Sequence, residues 1–129
     1  MSTHPKYKIK NLSPQLLVSD LSRSIEFYQG MFGFHVDFQF DDFYAGMSNG
    51  VCSLHLKAGQ YTKEEIRNRN NREDLDLVVS VEGIEALYDL LLAKQIKVIQ
   101  PLRNMVYGQE FYVADPDGYI IGFISAVSA

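Results

Sequence analysis

Few residue types in this chain have the means for catalysis or metal binding. There are three histidines, one cysteine and sixteen carboxylates. The histidines and Cys52 leave no room for a Cys/His zinc cluster. No Ser, His and Asp arrangement for a nucleophile is visible. No glycine-rich loop has the spacing of a dinucleotide or P-loop phosphate cradle. The aromatic side chains stand out instead. Eight Phe and eight Tyr in 129 residues exceed what one small core needs. Phe38, Phe40, Phe43, Tyr44, Tyr107 and Tyr112 lie on or beside alternating segments. There they can stack on a planar molecule, or serve as core and dimer contacts.

The composition is that of an ordinary globular protein, with 47% apolar and 22% charged residues. A chain of this length buries enough surface for a stable core. Twelve basic against sixteen acidic residues give a net charge of −4. With no basic stripe, nucleic acid is not an expected partner. No apolar run reaches the ~18 residues that span a bilayer, so no membrane is expected either. Met1 to Lys10 lacks the apolar core of an export signal. A single cysteine cannot form an intramolecular disulfide, which suits a reducing cytoplasm.

The elements that must position any site follow from periodicity. Leu16 and Val18 alternate with Gln15, Leu17 and Ser19, as in a strand. Asp20 or Ser22 can cap a helix whose stripe is Leu21, Ile25, Tyr28 and Phe32, ended by Gly33. Phe34, Val36, Phe38 and Phe40 alternate as in one half-buried strand, and another strand runs over Phe43–Met47. Asp41-Asp42 reads as the turn between them. Asn49-Gly50 is a hairpin signal. In the strand after it, Cys52, Leu54 and Leu56 share one face, and Ser53, His55 and Lys57 the other. Cys52 then reads as a small core residue. Residues 58–74 form a polar connector, with Thr62 and Glu65 spaced as a capping box.

The second half repeats this order about sixty residues later. Leu75 to Val81 alternate as a strand. Ile84, Leu87, Tyr88 and Leu91 make a helical stripe. Ile96–Ile99 is a strand stopped by Pro101, and Phe111–Ala114 is another. Asp115-Pro116-Asp117-Gly118 is a tight turn, and Tyr119–Ser125 is the last strand. The fold class is α+β, in one domain over 1–129. Two βαβββ modules (about 12–57 and 75–126) curve into a cupped mixed sheet with helices on the outer face. The concave inner face is the natural ligand site.

Two segments resemble the vicinal oxygen chelate superfamily of glyoxalase I, bleomycin and fosfomycin resistance proteins and extradiol dioxygenases. They are Leu16-Leu17-Val18-Ser19-Asp20-Leu21 through Phe27-Tyr28, with Gly33-Phe34 after it, and Tyr107-Gly108-Gln109-Glu110 through Asp115-Pro116-Asp117-Gly118-Tyr119. The resemblance implies a cup that often forms in homodimers. It also implies a divalent metal held by His, Glu or Gln on the first and last strand of each module. Aligned to that pattern, Gln15, His55, Asp76 and Gly122 stand at the four ligand positions.

Glycine at the fourth position has no side chain to offer. Glyoxalase-type chemistry loses its base there as well as a ligand. An extradiol site needs two His and a carboxylate. A divalent ion, if any binds, is left to Gln15, His55 and Asp76, and no other cofactor is expected. The expected function is therefore metal-independent binding or sequestration of a small aromatic or antibiotic-like molecule. Gln15, His55, Asp76, Tyr107, Tyr112, Phe38 and Phe40 are the expected ligand-binding residues, with no catalytic residue assigned. The alternative is a metal-dependent lyase, isomerase or dioxygenase acting on vicinal oxygens. A purely structural dimer leaves the polar inner positions without a role.

Overall fold

A computed structural model describes residues 6–60, 64–65 and 75–126. The first module runs β1 (Gln15–Val18), α1 (Leu21–Phe32), β2 (His35–Phe40), β3 (Tyr44–Asn49) and β4 (Cys52–Ala58). The second runs β5 (Leu77–Ser80), α2 (Ile84–Ala93), β6 (Lys97–Met105), β7 (Gly108–Ala114) and β8 (Ile120–Ala126). The repeat is thus real, and its sheets are alike. The first is ordered β1-β4-β3-β2 and the second β5-β8-β7-β6, each with one parallel pair. Hydrogen bonding gives two four-stranded sheets among the described residues, where the sequence suggested one larger sheet. No helix among these residues is long and apolar enough to cross a membrane.

Local chemistry sets the helix ends. Asp20 caps α1 by accepting from the Arg23 N–H, and Gly33 closes it at φ +70°. The hairpin turn lies one residue later than Asn49-Gly50 suggests. Asn49 still pairs with Cys52, so Gly50 and Val51 are the central residues, and Gly50 takes the positive φ. The capping box at Thr62 falls outside the described residues.

Three expectations fail for reasons of pairing. Phe34, Val36, Phe38 and Phe40 do not share a face. A β-bulge between Val36 and Phe38 inserts one residue, so Val36 pairs with buried Met47 while Phe38 pairs with Gly46. Phe34 and Val36 therefore pack on the core, while Phe38 and Phe40 stand 38% and 57% exposed. The matching strand β6 shifts register at the same place, between Val98 and Gln100. Nor does Pro101 stop β6. The strand is an edge, and Pro101 sits where the register shifts again between Gln100 and Arg103, so no ladder N–H is needed of it. Cys52 is exposed rather than buried. It shares the Leu54 and Leu56 face but lies at the first residue of β4, beyond the buried stretch.

One core cluster joins both modules. Leu16, Leu54, Leu56 and Tyr28 belong to it together with Phe111, Ile121 and Phe123. The Phe32 and Phe123 rings meet across the junction, 5.4 Å apart. Polar groups fix the same seam. Asp115, 6% exposed, accepts from the Asp117 and Tyr119 backbone N–H groups at 2.9 Å and from the Tyr28 hydroxyl of α1 at 2.8 Å. The Tyr119 hydroxyl accepts from the Leu17 N–H and donates to the Leu17 carbonyl. The side chain of Asp117 takes the Ser19 N–H. The turn that opens β8 is therefore stitched to β1 and α1.

Burial pushes the Asp115 carboxyl up to about 6; the neighbouring Asp117 charge adds to this, while the hydrogen bonds from Tyr28, Tyr119 and Asp117 oppose it. The unfolded value is about 3.9. The folded state thus binds this proton more tightly, and the stabilisation is full below about pH 4 and lost as pH rises through about 6. Its size is at most about 3 kcal/mol. Between pH 7 and pH 5 the melting temperature is expected to rise, and Asp115→Asn to flatten that rise. Parallel slopes in the two proteins would contradict the assignment.

Candidate functional site

The sheet register builds the first wall. Gln15 pairs with His55, His55 with Gly46, and Gly46 with Phe38, so these four lie in one row across β1, β4, β3 and β2. The row is on the face away from the core, because Leu16, Leu54 and Met47 point the other way. Gly46 is what lets the row close. A Cβ there would meet the Phe38 ring at 2.2 Å. The ring instead lies over the glycine and reaches His55 edge-on, at 5.3 Å. It also stacks with Tyr44, and Phe40 stacks with Phe43 beside it.

Polar groups in this wall bind one another. Gln15 Nε2 donates to the Tyr44 hydroxyl at 3.0 Å, and that hydroxyl lies 2.8 Å from His55 Nδ1. If Tyr44 accepts from Gln15 and donates to His55, the neutral ring carries its proton on Nε2. The wall then presents aromatic faces and one ring N–H.

The second wall lies on β6 and β7. Glu110 is 2% exposed and shares a face of β7 with Tyr112. It accepts from Arg103 Nε at 2.7 Å, from the Tyr112 hydroxyl at 3.1 Å and from the Tyr107 hydroxyl. The Arg103 guanidinium stands 5.5 Å from the Tyr112 ring centre. Burial works against the Glu110 charge, but the hydrogen bonds from Tyr107, Arg103 and Tyr112 outweigh it and hold its carboxyl below the usual glutamate range. The hydrogen bond to Glu110 pushes the Tyr107 phenol up to about 12. Burial, then Glu110, raises Tyr112.

The expected residues thus fall into two groups and one outlier. Gln15, His55, Phe38 and Phe40 gather in the first wall, and Tyr107 and Tyr112 in the second. Asp76 is in neither: its carboxylate accepts from the Ile120 N–H at 2.8 Å, and its own N–H donates to the Ile120 carbonyl. Arg103, Glu110 and the linking role of Tyr44 were not read from the sequence. The available signal was a carboxylate two residues from Tyr112, on the same strand face.

The repeat also relates the two sheets. Both edge strands bulge at the same place, so Gln100, which pairs with Tyr112, matches Phe38, which pairs with Gly46. Tyr112 pairs in turn with Gly122 and Gly46 with His55, and beyond them stand Val78 and Gln15. The counterpart of Gly122 is therefore His55. Gly122 itself is covered, since a Cβ there would meet Leu75 at 2.6 Å. Among the described residues no three His, Cys, Asp or Glu side chains gather. Gln15, His55 and Asp76 are engaged with different partners on two sheets, and this set does not fit a chelated ion.

These features match a known family. Residues 9–123 fit the model of the Glyoxalase/Bleomycin resistance protein/Dioxygenase superfamily, and the chain belongs to that superfamily. Solved structures share its fold at low identity. The fosfomycin resistance protein FosX from Listeria monocytogenes is 15% identical with a TM-score of 0.71, over 93% of this chain and 96% of that one. TnmS3, an antibiotic binding protein from Streptomyces sp. CB03234, is 19% identical with a TM-score of 0.70, over 94% and 99%. The bleomycin-binding protein of Streptomyces verticillus, in complex with copper(II)-bleomycin, is 23% identical with a TM-score of 0.66, over 94% and 99%. No curated protein matches the sequence.

Gly46→Ala tests the first wall. The added methyl must drive the Phe38 ring off the sheet, so the His55 ring protons are expected to lose the Phe38 part of their ring-current shift in the proton NMR spectrum, leaving that of Tyr44. Stability should change little, because Phe38 is already partly exposed. Unchanged His55 shifts would contradict the row as described.

Proposed function

We propose that this protein binds a small planar aromatic molecule, neutral or cationic, without a metal and without transforming it. The observation that carries this reading is the first wall. Phe38 and Tyr44 present ring faces around His55, while the polar groups are spent on each other. Such a surface stacks on a planar ligand. It offers no convergent donor set that could polarise a carbonyl or bind vicinal oxygens. The net charge of −4 suits a neutral or cationic ligand better than an anion. Solved relatives described as binding bleomycin or an antibiotic share this fold and support the class. The metal-dependent alternative lacks a carboxylate at Gly122 and at its counterpart, His55.

The working unit is a homodimer in a reducing cytoplasm. Both walls end on edge strands, β2 and β6, which carry exposed apolar side chains at Phe40 and Met105, with Tyr107 exposed in the turn after β6. Such edges invite a second copy. The described polar and ring contacts of each wall stay within its own sheet, so each wall needs an opposing surface to enclose a ligand.

Titration with acridine orange, and with metal-free bleomycin as a second probe, tests the reading. Binding to a species with the mass of two chains is expected, unaffected by EDTA. Phe38→Ala should weaken it about tenfold, or ~1.4 kcal/mol. Binding that needs a divalent ion, or that ignores Phe38→Ala, would overturn it.

A further inference from the structure

The seam between the modules leaves space, open to solvent at Val51 and Leu12, that neither wall uses. A cavity of about 670 Å³ opens between the core-side faces of the two sheets. Tyr28 and Phe32 of α1, Leu54 of β4, Val79 of β5, Leu87 of α2 and Phe123 of β8 form its sides. None of the residues expected to bind ligand lines it. The volume lies within the ~300–1,000 Å³ of small-molecule sites.

The sides are apolar, and their few polar groups are already committed. The Tyr28 hydroxyl goes to Asp115, Asn49 Nδ2 to the Phe32 carbonyl, and Ser53 Oγ to Ser13 and the Leu12 carbonyl. A groove of that kind favours apolar molecules, which cover its apolar sides without leaving a polar group unpaired. Among its described lining residues there is no Lys, Arg or His, and the one charged residue is Glu82. A carboxylate entering it would meet like charge and no partner, whereas an ammonium would meet Glu82. We propose that this cavity is a second binding site, separate from the aromatic wall, for an apolar molecule that is neutral or carries an ammonium group, and that it rejects apolar carboxylates.

The full-length protein and the neutral dye Nile red test this, with acridine orange in saturating excess to occupy the aromatic wall. Saturable binding of one dye per chain is expected. Dodecylamine below its micellar concentration should displace the dye at least tenfold more effectively than laurate, and Glu82→Gln should erase that preference. Val79→Trp fills the cavity and should abolish dye binding, while Phe38→Ala and Tyr44→Phe leave it unchanged. Cys52 gives a second route that does not depend on a core variant folding. It is the one cysteine of the chain, is exposed, and lines the same cavity. A bulky maleimide attached to the folded protein should block the dye while circular dichroism stays constant. Four results would each overturn the proposal. They are equal displacement by laurate, dye binding that survives the Cys52 adduct, loss of binding in the Phe38 or Tyr44 variant, and no saturable binding because a second copy fills the space. Each would leave the reading of the aromatic wall standing.

Discussion

The buried carboxylate of Asp115 is the constraint on which the two-module arrangement rests. It orders its own turn through the Asp117 and Tyr119 N–H groups, and it takes the Tyr28 hydroxyl from a helix of the other module. Ordering the turn also aims Tyr119 at the backbone of Leu17. Each half alone, one helix on one small sheet, would be a marginal fold. Joined at this point, they share a core, and the Phe32 and Phe123 rings close against each other.

Much of this was legible in the sequence. Helix stripes, strand alternation and the Asp115-Pro116-Asp117-Gly118 turn depend on neighbours along the chain, and they place nearly every element. What was hidden depends on neighbours across the sheet. The bulge before Phe38 is set by pairing with β3, and its result, an aromatic ring over Gly46, has no local signature. Pro101 reads as a strand end until β6 is known to be an edge with a shifted register. Glu110 reads as an anomaly until Arg103, Tyr107 and Tyr112 surround it.

The two walls solve the problem of burying polar groups in different ways. The first links amide, phenol and imidazole to one another. The second buries a charge and surrounds it with three donors, which keeps it ionised but leaves it with little proton-transfer capacity. Neither arrangement leaves a reactive base at the position where the superfamily resemblance implies a Glu. Gly122, shielded by Leu75, takes that place. A fold associated with metal chemistry is thus furnished here with surfaces suited to holding a molecule.

Metal content is the most direct test of that central claim. Purified protein, analysed by elemental mass spectrometry and followed in a thermal-shift series with zinc, manganese, nickel and ferrous iron, is expected to carry far less than one ion per chain. No ion should raise its melting temperature. One ion per chain, with a stabilisation lost in His55→Ala, would contradict the account.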